Sequence, residues 1–223
     1  MCGRFTLAVD PAQLKLLLDL NDVPADLAPR YNIAPTQLVA VVTSLQDRKV
    51  EMVQWGLIPS WAKDPSIGGR MINARAETLE EKPAFRAAFK RRRCAILADG
   101  FFEWKKVAEG KKETKQPYYI GLIDDQPFAF AGLWETWKSP QGEEKRTCTI
   151  ITTTPNKLMA EIHDRMPVIL NKESIWDWID PEASPIALQA VLQPYPAQQM
   201  KMYPISKLVN KPENDRAEVI TPA

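Results

Sequence analysis

The second residue of the chain is a cysteine, in "MCGRF", and removal of Met1, usual before a small residue, would leave Cys2 with a free α-amine beside its thiol. An α-amine titrates near ~7.7–8.0 and a thiol near ~8.5, so both have a useful nucleophilic fraction at neutral pH. No interior cysteine combines the two. His163, in "EIHDRMP", is the only histidine and therefore the only imidazole able to move protons near neutrality, although a structural histidine holding a loop fits the bare residue equally. Glu103 stands among Phe101, Phe102 and Trp104 in "ADGFFEWKK". A carboxylate in aromatic surroundings tends to have a raised pKa, which suits a group that both donates and accepts a proton; a surface glutamate on an alternating strand stays open. Asn73 and Arg75, in "MINARAE", share one face if that stretch is extended, and an amide and a guanidinium there can hold a substrate oxygen and a phosphate.

Two tryptophans lie close to polar loops. Trp61 stands in "IPSWAKDP", where nothing local calls for a large apolar residue, and Trp104 precedes a lysine-rich turn. Bases stack on such rings for about 1–3 kcal/mol each, a mode suited to single strands, while core packing is the commoner fate of tryptophan. The net charge is only +1, so a nucleic-acid partner would need a local patch. Two basic runs exist, "RAAFKRRR" and "KKVAEGKKETK", and each reads more simply as a solvated helix face or hairpin tip. One histidine and three scattered cysteines, with no C-x₂₋₄-C spacing, argue against a metal site.

These residues need a scaffold. Asp10 and Pro11 form a helix start ahead of "AQLKLLLDL". Strands are predicted at "LVAVVTS", "VEMVQWGLI", "CAILADGFFEWKK", "PYYIGLI", "FAFAGLWETW" and "TCTIITTT". Leu79, Ala84, Phe85, Ala88 and Phe89 recur at helical spacing, Thr154 and Pro155 start a short helix "NKLMAEIH", and further helices are expected near "KESIWDWI" and "PIALQAVL". "DRMPVIL" should be extended, and "VPADLAPRYNIAPTQ" an ordered loop. With no internal repeat or linker, the 223 residues read as one α+β domain over 1–223, richer in strands than a βαβ pattern. The absence of a long apolar run or a signal-peptide start predicts a cytoplasmic protein with no membrane partner, and three widely spaced cysteines fit a reducing compartment. Nothing suggests an assembly beyond a monomer.

Taken jointly and in order, "MCGRF", "RYNIAP", "WGLIPSW", "MINARAET", "ADGFFEWKK" and "IHDRMPVIL" resemble the SOS response-associated peptidase, or SRAP domain, family of abasic-site processing proteins. The similarity spans residues 1 to about 170 and continues weakly as "MYPISKLVN". It implies a twisted, barrel-like mixed β core flanked by helices, with a positively charged groove leading to the N-terminus. It implies covalent capture of an abasic site in single-stranded DNA, without a cofactor: the Cys2 amine forms a Schiff base with the ring-opened sugar, and the thiol closes a thiazolidine. Glu103 would shuttle protons, Asn73 would orient the amine or sugar, and His163 would aid sugar ring opening. Arg4 and Arg75 would hold phosphates, with Asn32 nearby in the pocket, while Trp61 and Trp104 would stack on or wedge against flanking DNA. The bound nucleoid would then be a second location. The family's peptidase activity would expose Cys2 in members with longer N-termini, whereas here a methionine aminopeptidase would suffice. Two other readings of the residues stand beside this one: an amidohydrolase with an N-terminal cysteine nucleophile, and a non-covalent reader of single-stranded DNA.

Overall fold

The computed structural model describes residues 2–109 and 112–223, and for Glu109 and Lys112 the backbone alone. Thirteen strands are present among the described residues: β1 Phe5–Leu7, β2 Arg30–Ile33, β3 Leu38–Val42, β4 Val50–Trp55, β5 Asn73–Arg75, β6 Arg93–Ala98, β7 Gly100–Glu109, β8 Lys112–Leu122, β9 Phe128–Lys138, β10 Glu144–Thr153, β11 Met166–Pro167, β12 Ile169–Leu170 and β13 Met200–Pro204. Four α-helices accompany them: α1 Pro11–Leu17, α2 Pro83–Arg91, α3 Lys172–Ile179 and α4 Pro185–Val191.

The centre is a closed barrel. β10 pairs in parallel with β4, and β4–β3, β3–β6, β6–β9 and β9–β10 are all antiparallel, so five strands form a ring without an edge. Buried runs build it: "RCAILA" of β6, apolar after Arg93, is buried throughout, as is "FAFAGL" at the start of β9. A second sheet, ordered β13-β8-β7-β1-β2, lies on it. Phe5 of β1 meets Trp55 and Phe130 edge-on at 5.2 and 5.5 Å, and Phe101 of β7 meets Phe130 at 6.0 Å, so aromatic side chains weld the sheet to the barrel. The α+β class and the barrel-like core are thus as expected.

The N-terminus is clamped. Asp99, at the corner between β6 and β7, accepts hydrogen bonds from Thr6 Oγ1 and from the Ala8 and Val9 amides, and its own N–H reaches Thr6 O at 3.0 Å. The run expected as one strand is therefore two, broken where this carboxylate turns inward. Asp10 caps α1 through the Ala12 and Gln13 amides, as its position predicts. α2 begins at Pro83 and buries Phe85, Ala88 and Phe89, while Leu79 sits in the preceding turn. The helix expected over "NKLMAEIH" is absent; one 3₁₀ turn, Met159–Glu161, stands there. β11 must pair with β10 straight away, Met166 opposite Thr153, and the intervening segment is too short to send out a helix and return. No helix among the described residues is long and apolar enough to cross a membrane.

Candidate active site

Cys2 lies wholly buried one residue before the glycine that leads into β1. Its Sγ points to Arg4 O at 3.9 Å, and its carbonyl accepts Asn73 Nδ2 at 2.9 Å. Burial pushes the thiol far above its ordinary range, and the Glu103 carboxylate pushes the same way. The nucleophilic fraction read from a free cysteine therefore does not hold here: the sulfur stays protonated until a base takes its proton.

Glu103 is 3% exposed on β7, and burial raises its carboxyl above the carboxylate range, with His163 among the groups that oppose the shift. Cys2 feels Glu103 and Glu103 feels His163, so the three titratable groups form one electrostatic unit. The cause of the raised carboxyl is burial as such, for two of the three flanking aromatics, Phe102 and Trp104, turn away from Glu103. β7 alternates strictly. Phe101 and Glu103 face inward toward the barrel and Cys2, while Phe102 and Trp104 face a separate apolar cluster with Tyr119, Ile205, Val209 and Val219.

Asn73 and Arg75 lie on β5, which runs in parallel with β10, Asn73 opposite Ile150 and Arg75 opposite Thr152. Ala74 between them is buried while Arg75 is exposed, so the alternation sets the two polar side chains on one face. Asn73 Oδ1 is buried with no hydrogen-bond partner among the described residues, an orphan acceptor beside Cys2. His163 follows the 3₁₀ turn, its N–H bonded to Met159 O at 2.9 Å. The Arg165 amide donates to His163 Nδ1 at 3.0 Å, and since an amide only donates, the neutral ring carries its proton on Nε2. Asp164 Oδ1 lies 2.9 Å from the same Nδ1, a contact that the protonated ring takes up instead.

The remaining residues named from the sequence part company. Trp61 is 61% exposed, in the loop after β4. Trp104 does not share the face of Glu103: it packs on the C-terminal segment, its Nε1 donating to Asn210 Oδ1 at 2.8 Å. Asn32 is fully buried, and its Nδ2 points to the carbonyls of Val209, Lys211 and Asn214. Its Oδ1 accepts Arg4 Nη1 at 2.8 Å, and the same Nη1 reaches Val209 O at 2.7 Å. Sequence reasoning missed the pair Arg165–Glu77, a two-pronged bridge at 2.6 and 2.9 Å whose guanidinium also meets Thr152 O at 2.6 Å. This bridge ties the His163 turn to the end of β5 and holds Glu77 below the carboxylate range. Its only signal was the quoted "HDRMP".

The basic runs serve structure in part. Arg93 is buried and bonds to Trp178 O at 2.7 Å and Phe89 O at 2.8 Å, and Arg92 pairs with Glu135 at 2.7 Å. In the lysine-rich hairpin Lys106 meets Glu113 at 3.0 Å, and Gly110 and Lys111 lie outside the described residues, as does Met1. Cys94 and Cys148 are buried and unbridged in the barrel wall. No group of three metal-ligating side chains occurs among the described residues.

A closed five-stranded barrel thus carries a buried cysteine just ahead of β1, with a buried glutamate and an amide beside it. Residues 1–212 match the family described as SOS response associated peptidase (SRAP), and the chain belongs to that family. It is 47% identical to the Bacillus subtilis protein named abasic site processing protein YoqW, over 99% of each chain. It is 34% identical to abasic site processing protein YedK of Escherichia coli over the whole of both chains. Abasic site processing protein HMCES of Xenopus tropicalis is 32% identical over 98% of this chain and 77% of its own. A crystal structure from Bacteroides thetaiotaomicron superposes with a TM-score of 0.87 at 29% identity, covering both chains fully.

Proposed function

We propose that the protein recognises abasic sites in single-stranded DNA and captures them covalently through Cys2, forming a DNA–protein cross-link that shields the lesion. The observation that carries this reading is the grouping of Asn73 and Glu103 at Cys2, with the His163 charge felt by Glu103. The names of the relatives support the lesion as target.

Cleavage of the Met1–Cys2 peptide bond frees the amine. The open-chain sugar aldehyde accepts the amine nitrogen, the carbinolamine loses water, and an iminium results. The sulfur then attacks the iminium carbon, its proton passes to Glu103, and a five-membered thiazolidine with a neutral secondary amine closes. The balance is one water lost. A carboxyl with a raised pKa suits both directions, giving the proton that expels water and taking the thiol proton afterwards. Asn73, whose Nδ2 already holds the Cys2 carbonyl, offers Oδ1 as acceptor to the freed amine. His163, whose neutral ring carries its proton on Nε2, donates to the sugar ring oxygen as it opens. Ring closure removes the iminium, the species that drives β-elimination and strand scission. Arg75, exposed beside Asn73, and Arg4 hold phosphates, and Trp61 packs on a flanking base. The protein acts as a monomer in this reading.

The test is a denaturing gel after incubation with an abasic-site oligonucleotide. The expected result is a slow band that Cys2→Ala abolishes and Cys2→Ser reduces to a labile trace. Binding without a band would replace this reading with that of a non-covalent reader, and neither binding nor a band would leave the amidohydrolase.

A further inference from the structure

The segment after β13 is wired into the N-terminal site. Two 3₁₀ turns, Lys207–Asn210 and Ala217–Ile220, bracket it. Between them, Asp215 accepts hydrogen bonds on Oδ1 from the Tyr31 amide and, at 3.0 Å, from the Asn32 amide, while its Oδ2 pairs with Arg30 Nε. Asn32 Nδ2 in turn reaches Lys211 O and Asn214 O at 3.0 and 2.9 Å. Asn214 Nδ2 staples the turn to Leu208 O at 2.8 Å. The end of this chain of contacts is Arg4, whose Nη1 is held by Asn32 Oδ1 and Val209 O. Arg4 Nε is buried without a hydrogen-bond partner among the described residues. A half-buried guanidinium clamped through Nη1 by Asn32 Oδ1 and Val209 O has its orientation fixed from the protein side. Burial lowers the pKa of Arg4, and Glu213 of the same segment opposes that effect by its charge.

We propose that Asp215 is a positioning residue for DNA capture: by docking the 207–215 segment on β2, it sets Asn32 and Val209 so that they aim the Arg4 guanidinium at a phosphate of the abasic strand. The inference rests on the function proposed above, with Arg4 as a phosphate holder. Asp215 touches neither DNA nor the reacting atoms. It acts on binding, and the steps at Cys2, Asn73 and Glu103 lie on other strands.

The experiment measures cross-linking rate against abasic-oligonucleotide concentration, at several salt concentrations, for wild type and variants. Asp215→Ala should raise the half-saturating DNA concentration on the order of tenfold, the worth of one charge-assisted contact, and leave the plateau rate unchanged. Its salt slope should fall by about 0.7, one phosphate on a single strand. In an Arg4→Ala background the same change should add nothing to half-saturation, because both act through one guanidinium. A role confined to stability would lower the melting temperature without moving half-saturation or slope. A lowered plateau at unchanged half-saturation, or full additivity with Arg4→Ala, would overturn the proposal. If Asp215→Ala does not fold, Asn214→Ala, which removes only the staple to Leu208, carries the same test with a smaller expected shift. Failure of the wild type to cross-link at all would count against the proposed function, a result separate from either outcome here.

Discussion

At the scale of single residues, the pair Cys2–Glu103 sets the conditions for any reaction here. Both are buried, and the Glu103 charge makes ionisation of the Cys2 thiol less favourable. This has a measurable cost to stability. Glu103 has its folded pKa raised above the ordinary 4.5. The native state therefore binds more protons than the unfolded chain from pH 4.5 upward to the raised value, and stability falls as pH rises through that window. Glu103→Gln removes the buried charge. Its melting temperature should exceed that of wild type at pH 7, and the difference should vanish near pH 4, where wild type is protonated too; a constant difference across pH would contradict the assignment. On the proposed mechanism the same variant should slow cross-linking on the order of a hundredfold or more, read from single-turnover rates. Much at this scale was legible in the sequence: the thiol at position two, the carboxylate in its aromatic setting, and the shared face of Asn73 and Arg75 on an alternating strand. The thiol's protonation state was not, because it depends on burial, which a residue at the end of a chain gives no reason to expect. Nor was the engagement of Arg4 and Asn32, whose partners lie 205 and 177 residues away.

At the scale of elements, β7 separates the chemistry from the support. Its inward face brings Phe101 and Glu103 to the barrel, and its outward face gives Phe102 and Trp104 to the C-terminal cluster. Trp104 looks in sequence like a base-stacking residue because it neighbours Glu103, yet a period of two sends neighbours to opposite faces. Strand predictions succeeded where β-branched and aromatic runs were long, as in β3, β4, β9 and β10; they failed at Asp99, where a single side chain broke the run, and at β2, four residues between prolines in a segment read as a loop that pair with β1. The run "RAAFKRRR" shows the same limit, since charge alone does not say which arginine is buried. Arg93 joins the end of α2 to α3 through carbonyls of Phe89, Lys90, Trp178 and Asp180. Arg93→Leu should cost about 2–3 kcal/mol in chemical denaturation, because it leaves buried acceptors unmet, with no change in DNA affinity. An affinity loss at unchanged stability would restore the nucleic-acid reading of that run.

At the scale of the whole molecule, the fold brings the beginning and end of the chain to one place. β1 lies between β2 and β7, Asp99 clamps it from one side, and the 207–215 segment closes the other. With a net charge of only +1 there is no global field to attract DNA, so affinity in the proposed reading comes from a few placed cations and should fall moderately with salt. The strand-rich single body was readable from pattern, whereas closure of β10 onto both β4 and β9 was not, since pairing across such distances in sequence has no local signature. The reaction proposed for Cys2 is tested most directly by intact-mass analysis of the purified adduct. The account predicts a mass equal to protein lacking its initiator methionine plus the oligonucleotide, less one water, unaltered by borohydride. An adduct that gains two hydrogens on borohydride treatment, retains Met1, or forms equally well with Cys2→Ala would contradict it.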